Sequence, residues 1–354
     1  MQRIWKVLSL VLIGIIGILI LNQLSEQEKD VIISETNVIG SESTNNEPTN
    51  ETFQIEGKIY TIIDGDFFEL NPETNENTFV LQYYDPEFFE KNYVKEKGTT
   101  YRLVNEDRFQ VLYEFREDFE DADSIHDLMV EDLDDIRWTH FTLQSPSTPS
   151  IKEYNDLKQC IIQDKCDFID NRVEPSTDFA HSGVTSLKTF SIPPSAEMKT
   201  AKASLSTEVL HYTKGDDVWF SGWFYLKEGR PTTIMDLEST WLKGDSGIRI
   251  LMTENSELYV ELKALDKPEW KQKNPIVFPS GKWVNVKTHF VLDEKNGLVE
   301  LWQDDIKIIE GEGRTLPNHD TIYNSLEVGT SSNPHLTTTT LYVDDVTISN
   351  KPFK

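Results

Sequence analysis

Basic, polar and aromatic residues that could bind a ligand or exchange protons with it stand at alternate positions of short segments rich in β-forming residues. In Trp283–Leu292 (WVNVKTHFVL), Asn285, Lys287 and His289 alternate with apolar residues. Successive side chains of a strand point to opposite faces, so these three share one face. Histidine is the commonest general base near neutral pH, and asparagine and lysine can bind hydroxyl or carboxylate groups.

Four further segments divide in the same way into an apolar face and a polar or aromatic face. In Gly215–Leu226 (GDDVWFSGWFYL), Trp223 and Tyr225 oppose Phe220 and Phe224. The corresponding residues of the other three segments are Asp236 and Glu238 in Thr233–Glu238, Arg249 in Gly247–Thr253, and Tyr259, Glu261 and Lys263 in Leu258–Lys263. An antiparallel sheet with one face on a core produces this pattern.

If these strands share one sheet in aligned register, their polar faces form a single surface. We predict a shallow saccharide groove there, because aromatic rings cover sugar C–H groups and polar neighbours bind hydroxyls. The alternative is an ordinary solvated face whose charges form cross-strand pairs.

Two kinds of catalysis would be compatible with this surface. His289 with Tyr259 or Tyr225 could act as base and acid in an elimination reaction. Asp236 and Glu238 lie two positions apart on one face, and paired acids could serve a glycoside hydrolase. The alternative for the second pair is two exposed acidic residues without a catalytic role.

Composition narrows the choice of partner and fold. The 354 residues include 61 acidic and 34 basic ones, for a formal net charge of −27, which argues against nucleic acid as a partner. Many short runs of β-branched and aromatic residues, separated by Gly, Pro, Asn and Asp, predict an all-β protein. Their number and spacing favour an antiparallel two-sheet sandwich or jelly roll.

The chain divides into four predicted regions. Residues 1–24 place Arg3 and Lys6 before the apolar run Val7–Leu21, which predicts a signal anchor or transmembrane helix with the rest of the chain outside the cytoplasm. The protein would be secreted if this segment were cleaved. Residues 25–52 read as a disordered linker, 53–115 as a small β-rich unit and 116–350 as the main domain.

The two cysteines, Cys160 and Cys166, are too few for a structural zinc site. An exported chain favours a local disulfide between them, and two unlinked thiols are the alternative.

Several motifs together resemble the concanavalin A-like jelly-roll superfamily, and more narrowly its heparin-lyase-I-like and polysaccharide-lyase-like members. They are His181–Lys188 (HSGVTSLK), Gly215–Leu226, Pro279–Phe290 (PSGKWVNVKTHF), Asn296–Asp305 (NGLVELWQDD), LEVGTSSNP at 326–334 and Leu341–Ser349 (LYVDDVTIS). The resemblance covers roughly residues 116–350 and implies a jelly-roll sandwich that engages polysaccharide. The three strand motifs of alginate-lyase-like members are not matched.

The resemblance also implies a structural calcium ion. Phe119-Glu120 and Tyr342–Val346 resemble the first-strand and last-strand motifs of jelly-roll carbohydrate modules that hold calcium, and point to Glu120 and Asp345 as ligands. We therefore expect a membrane-anchored, extracytoplasmic polysaccharide-binding protein. An active lyase acting on a uronate-containing glycan is one alternative, and a structural or adhesive surface protein that binds no sugar is another.

Overall fold

The computed structural model describes the backbone of seven strands between residues 51 and 110, and residues 111–129, 138–240, 246–263, 267–319 and 321–353 in full. The predicted transmembrane helix, residues 1–24, and nearly all of the predicted linker lie outside these residues. No helix in the described part of the chain is long and apolar enough to cross a membrane.

The first seven strands form two small antiparallel sheets. One contains, in chain order, β1 (Glu51–Ile55), β2 (Lys58–Ile63), β3 (Asp66–Leu70) and β4 (Asn77–Leu81); the other contains β5 (Tyr93–Glu96), β6 (Thr99–Val104) and β7 (Asp107–Gln110). Ile63 pairs with Asp66, so β2 and β3 form the hairpin that the Asp64-Gly65 turn signal predicts.

Two large antiparallel sheets follow, which confirms the all-β, two-sheet antiparallel sandwich. The eight-stranded sheet contains β8 (Glu114–Glu117), β10 (Arg172–Ser176), β11 (Ser186–Ser191), β13 (Asp217–Glu228), β18 (Trp283–Val291), β19 (Gly297–Gln303), β20 (Ile306–Gly313) and β22 (Thr339–Ser349). Its order is β10-β11-β22-β13-β18-β19-β20, and β8 also pairs with β22.

The seven-stranded sheet lies opposite. It contains β9 (His140–Thr142), β12 (Ala201–Thr207), β14 (Thr233–Glu238), β15 (Gly247–Met252), β16 (Leu258–Leu262), β17 (Glu269–Trp270) and β21 (Ser325–Asn333), in the order β17-β16-β15-β14-β21-β12-β9. Alternate residues of both sheets form one buried apolar core, to which β13 contributes Phe220 and Phe224 and β15 contributes Ile248 and Ile250. The predicted apolar faces are therefore confirmed.

In the part of the chain that the structure describes, two helices accompany the sheets: α1 (Ile125–Leu128) and α2 (Ile151–Ile162). Ser150 begins α2 with a capping box in which its side chain and that of Glu153 bond each other's backbone N–H groups, satisfying donors that the first helical turn leaves free. The predicted Cys160–Cys166 disulfide is present at the end of α2, with a Cα–Cα distance of 5.6 Å.

The prediction of a single polar surface is wrong. Strands β13 and β18 belong to the eight-stranded sheet, whereas β14, β15 and β16 belong to the seven-stranded sheet. The chain crosses between the sheets after β13 at Gly229, whose φ of 71° favours glycine and whose missing side chain leaves room for the Thr338 carbonyl. Alternation identifies the two faces of a strand but not the sheet to which the strand belongs, so the polar residues form two surfaces on opposite sides of the sandwich.

Trp270 joins the edges of the two sheets. It belongs to β17 of the seven-stranded sheet, but its ring packs on Gly311 and Gly313 of β20 in the other sheet, and its Nε1 donates to the Glu312 carbonyl at 3.2 Å. The core is closed along this edge by one large side chain.

We expect Trp270→Ala to lower the free energy of unfolding by about 3 kcal/mol, because it removes a buried ring that contacts both sheets. Trp302→Ala, which alters a partly exposed ring on the outer face of the eight-stranded sheet, should cost about 1 kcal/mol or less. Urea unfolding followed by circular dichroism measures both. Equal losses in the two variants would contradict the bridging role of Trp270.

Candidate functional site

One residue from each strand of the seven-stranded sheet lies in a continuous row on the face that points away from the core. Cross-strand pairing places them side by side in the order His140, Ser206, Glu327, Asp236, Arg249, Glu261 and Glu269. We call these seven residues the polar row. Each alternates with core residues along its own strand, as Arg249 does with Ile248 and Ile250.

The charged residues in the middle of the polar row are almost fully buried although they face away from the core. The exposed fraction is 3% for Asp236, 5% for Glu261 and 7% for Glu327. Charged side chains are seldom buried to this extent unless they are paired. These carboxyl groups are therefore largely removed from water although their side of the sheet faces outward.

Most of these charges have identified partners. Arg249 binds Glu261 through Nε at 3.1 Å and also through Nη2, and Lys263 Nζ lies 3.1 Å from an oxygen of Glu238. Hydroxyl groups bind the remaining two carboxylates: Ser331 donates to Asp236, and Ser204 donates to Glu327. The sequence analysis predicted Asp236, Glu238, Arg249, Glu261 and Lys263 on one surface, and the structure brings these five together.

Burial raises the pKa of Glu327, the charge of Asp236 raises it further, and Lys202 opposes the rise. Burial also acts to lower the pKa of Arg249, but the carboxylates of Asp236 and Glu261 hold it above its usual value. The row thus places a carboxyl group with a raised pKa two strands away from the guanidinium group of Arg249. Perturbed acidic groups of this kind concentrate at functional sites.

Three carboxylates of this surface could also approach one cation. Asp236, Glu238 and Glu327 each offer an oxygen, and these oxygens lie within 4.8 Å of one another. Arg249 and Lys263 place positive charge beside them and offset part of their negative charge.

Tyr259 lies on the same face as the polar row, two positions along β16 from Glu261. Burial and the neighbouring Glu261 charge raise its pKa, and Lys271 Nζ lies 5.7 Å from its ring centre. Its ring is only partly buried, so part of an aromatic group is open to solvent on this surface.

At the other end of the row, His140 contacts a lysine from α2. Lys158 Nζ lies 2.5 Å from His140 Nδ1. Burial lowers the pKa of His140 to about 4, the charge of Lys158 lowers it further, and Glu208 opposes the shift. Burial likewise lowers the pKa of Lys158.

Aromatic rings cover the outer face of the eight-stranded sheet. Trp219 stacks on His289 with ring centres 3.9 Å apart, His181 stacks on Trp223 at 3.7 Å, and Phe179 stacks on Tyr225 at 4.6 Å. Each of these rings packs one flat face against a protein neighbour. A sugar would need a free ring face on which to rest. Asn285 and Lys287 share this surface, with Asn285 donating to Ser221.

His289 lies between two carboxylates. Its Nε2 is 2.6 Å from Asp217, and its Nδ1 is 2.8 Å from Glu300. Both ring nitrogens of His289 are therefore engaged by acidic side chains of the protein.

The structure brings neither predicted base–acid pair together. His289 and Tyr259 lie on opposite sheets. Tyr225 shares a sheet with His289, but His289 pairs with Trp219, six positions along β13 from Tyr225, or roughly 20 Å at the usual strand rise.

The predicted calcium ligands converge on one loop. Glu120 accepts the backbone N–H groups of Val184 and Thr185 at 2.8–3.0 Å, and Asp345 binds His181 Nδ1 and the Ser182 hydroxyl at 2.6 and 2.8 Å. A calcium ion would need these same oxygens, whereas here they face hydrogen-bond donors. Calcium at this loop stays a prediction.

A neighbouring carboxylate, Asp344, holds the first part of the same loop. Its oxygens accept the N–H groups of His181, Ser182 and Asp345, and burial raises its pKa to about 6. Asp345 has a φ of 47° and is the extra residue of a bulge in β22, which lets two consecutive aspartates reach this loop.

The sequence patterns did not identify several residues on the outer face of the seven-stranded sheet, above all Glu327, Ser204 and His140. The signal for Glu327 was present, because it alternates with Leu326 and Val328 in a predicted strand. No comparable signal links His140 to Lys158, since that contact depends on how α2 packs beside β9.

Comparisons with known proteins give structural similarity but no relative in sequence. No protein-family model matches the chain, and no curated protein matches it in sequence. Similar solved structures include the endo-β-1,4-glucuronan lyase of the fungus Trichoderma reesei (14% identity, 52% of this chain and 88% of that one, TM-score 0.44) and a cellulose-induced protein (17%, 52% and 87%, 0.40). An alginate lyase is similar over 69% of this chain and 99% of its own (7% identity, TM-score 0.41). Similarity at this level carries no argument about function.

Between pH 6.5 and 4, we expect His140 to make the folded state less stable as the pH falls. The unfolded chain takes up a proton at this histidine near pH 6.5, whereas the folded chain resists it until about pH 4, so acid favours unfolding by on the order of 3 kcal/mol. His140→Gln should remove this part of the pH dependence, and His319→Gln, at an exposed site, should not. Urea unfolding across the range measures both, and equal pH dependence in wild type and His140→Gln would contradict the prediction.

For the loop held by Glu120, we expect the thermal midpoint to be the same with added calcium and with a chelator. Glu120→Ala should lower the unfolding free energy by about 1–3 kcal/mol, because it leaves N–H groups without an acceptor. Asp121→Ala, at an exposed neighbour, serves as the control. A calcium-dependent rise in the midpoint that Glu120→Ala abolishes would instead establish the ion.

Proposed function

We propose that this protein binds a polysaccharide along the polar row, on the outer face of the seven-stranded sheet. The observation that carries the proposal is the burial of Asp236, Glu261 and Glu327, with Arg249 half-buried among them, on a sheet face that points away from the core. The protein keeps charged groups there at a cost in desolvation, and ligand binding is the use that this arrangement serves best.

The shape and chemistry of the row suit a chain more than a compact molecule. Seven residues on seven adjacent strands span roughly 29 Å at the usual strand spacing. Carboxylates accept hydrogen bonds, while Arg249, Lys263 and the serine hydroxyls donate them, so the row can bind sugar hydroxyls of either role. Tyr259 adds a partly exposed ring at one end, on which an apolar sugar face can rest.

Cleavage of the bound glycan is a second candidate function, favoured by Glu327. Glu327 has a raised pKa and lies opposite Asp236, so two carboxyl groups with different surroundings stand side by side, the pairing that glycoside hydrolysis uses. Elimination is less well supported, because on this surface the described residues place His140 and Tyr259 five strands apart, roughly 24 Å.

We also propose that residues 1–24 attach the protein to a membrane, with the sandwich on the extracytoplasmic side. The cationic residues before the apolar run support this orientation. The Cys160–Cys166 disulfide supports it independently, because disulfides persist mainly in oxidising compartments outside the cytoplasm.

We expect Lys263→Gln to reduce retention of the full chain on its preferred immobilised glycan at least about fivefold. Lys263 is partly exposed and pairs with Glu238 at the polar row, so its loss should weaken binding without unfolding the protein. Lys307→Gln is the matched control, because Lys307 forms a similar pair with Glu300, at 2.9 Å, on the opposite sheet. Affinity electrophoresis over a panel of neutral and acidic glycans measures both variants.

Equal losses in the two variants would exclude the polar row as the binding surface. Retention on no glycan, by protein shown to be folded, would favour the structural or adhesive alternative. Assays of reducing ends and of the ultraviolet absorbance of unsaturated uronates in the same incubations detect hydrolysis and elimination, respectively.

A further inference from the structure

We propose that the β9 end of the polar row is a subsite for an anionic group, a carboxylate or a sulfate, formed by Lys158, His140 and Lys202. The inference rests on the proposed function in one respect, namely that the group belongs to the glycan bound along the row. The subsite would also set the direction of the bound glycan, because its anionic group would lie at the β9 end of the polar row.

Two basic side chains, Lys158 and His140, are in direct contact. Lys158 has no acceptor lone pair when it is charged, so at 2.5 Å its ammonium group donates to His140 Nδ1, and the ring proton must then be on Nε2. The pair therefore presents donors only: the remaining ammonium protons and the Nε2–H group. Donors that converge from a helix and a sheet edge are what a carboxylate or sulfate oxygen requires.

Two lysine charges act on His140 at this end of the polar row. The charges of Lys158 and Lys202 both disfavour a proton on His140, and burial adds to their effect, so this histidine is held neutral by its surroundings. Glu208 acts in the opposite direction on both His140 and Lys158. An anion bound here would add to the effect of Glu208 and would allow His140 to take up a proton.

The centre of the polar row differs in charge from its β9 end. Asp236, Glu238 and Glu327 make the centre unfavourable for an anionic group, whereas Lys202 lies within electrostatic reach of both His140 and Glu327. A glycan with occasional acidic groups would be repelled at the centre and attracted at the β9 end. This difference fixes the register of the chain, which hydroxyl contacts alone do not.

The test is the titration of His140 by NMR in the full chain with ¹³C-labelled histidine, kept in mild detergent. The probes are sodium sulfate, sodium glucuronate and glucose, with sodium chloride added to match ionic strength. We expect sulfate or glucuronate to raise the titration midpoint of His140 by at least about one pH unit, a tenfold change in proton affinity, and glucose to leave it unchanged. His319, which is exposed, is the internal control.

Two variants separate a subsite from general screening. Lys158→Gln should raise the midpoint of His140 without any probe and should abolish the response to anions. Glu208→Gln should enlarge the response, because it removes a carboxylate that opposes anion binding. A response to glucuronate indicates a sugar carboxylate, and a response to sulfate alone indicates a sulfated group or a free inorganic anion; either supports the subsite.

Equal shifts of His140 and His319, or no shift of His140 with either anion, would overturn the proposal. Its failure is distinguishable from failure of the proposed function. Glycan retention that depends on Lys263 while His140 is silent would remove the subsite and leave the polar row as the binding surface. An anion response of His140 without retention on any glycan would support the subsite and remove the polar row as a glycan-binding surface.

Discussion

The Arg249–Glu261 ion pair is the interaction on which the outer surface of the seven-stranded sheet depends. It joins β15 to β16 at a point where both side chains are largely removed from water, and the positive charge of Arg249 also acts on Asp236 and Glu238. A buried carboxylate without such a neighbour would have to take up a proton or open the surface to solvent. One guanidinium group therefore sustains an arrangement of several acids that would otherwise repel each other.

The outer faces of the two sheets carry different kinds of side-chain contact. On the eight-stranded sheet, rings stack on neighbours such as His181 and His289, so that much of their aromatic area is used within the protein. On the seven-stranded sheet, charges and hydroxyls are paired with one another but retain donors and acceptors that a ligand can use. The loop at 181–185 links the first of these surfaces to Glu120 and to the bulge at Asp345, and so joins residues distant in the sequence.

Much of the sandwich could be predicted from local alternation, because the period of two along Trp219–Leu226 or Gly247–Met252 follows from burial of one face. The assignment of those strands to sheets could not, since it depends on long-range pairing and on the crossing at Gly229. The site was predicted to the same extent: Asp236, Arg249 and Glu261 were grouped correctly, whereas Trp223 and Asn285 were placed on the same surface although they lie on the opposite one. Contacts made by packing of a helix on a sheet edge, such as Lys158 with His140, leave no periodic trace in the sequence.

The crossing at Gly229 has a consequence for how this protein can change. Because it sends β13 and β14 to different sheets, the polar row and the aromatic rings are separated by the full thickness of the core and share no side-chain partner among the described contacts. Substitutions at sites so far apart usually have additive effects. Ligand preference on one side could therefore be altered by selection or by design while the other side keeps whatever role it has, which makes the sandwich a scaffold with two independently adjustable faces.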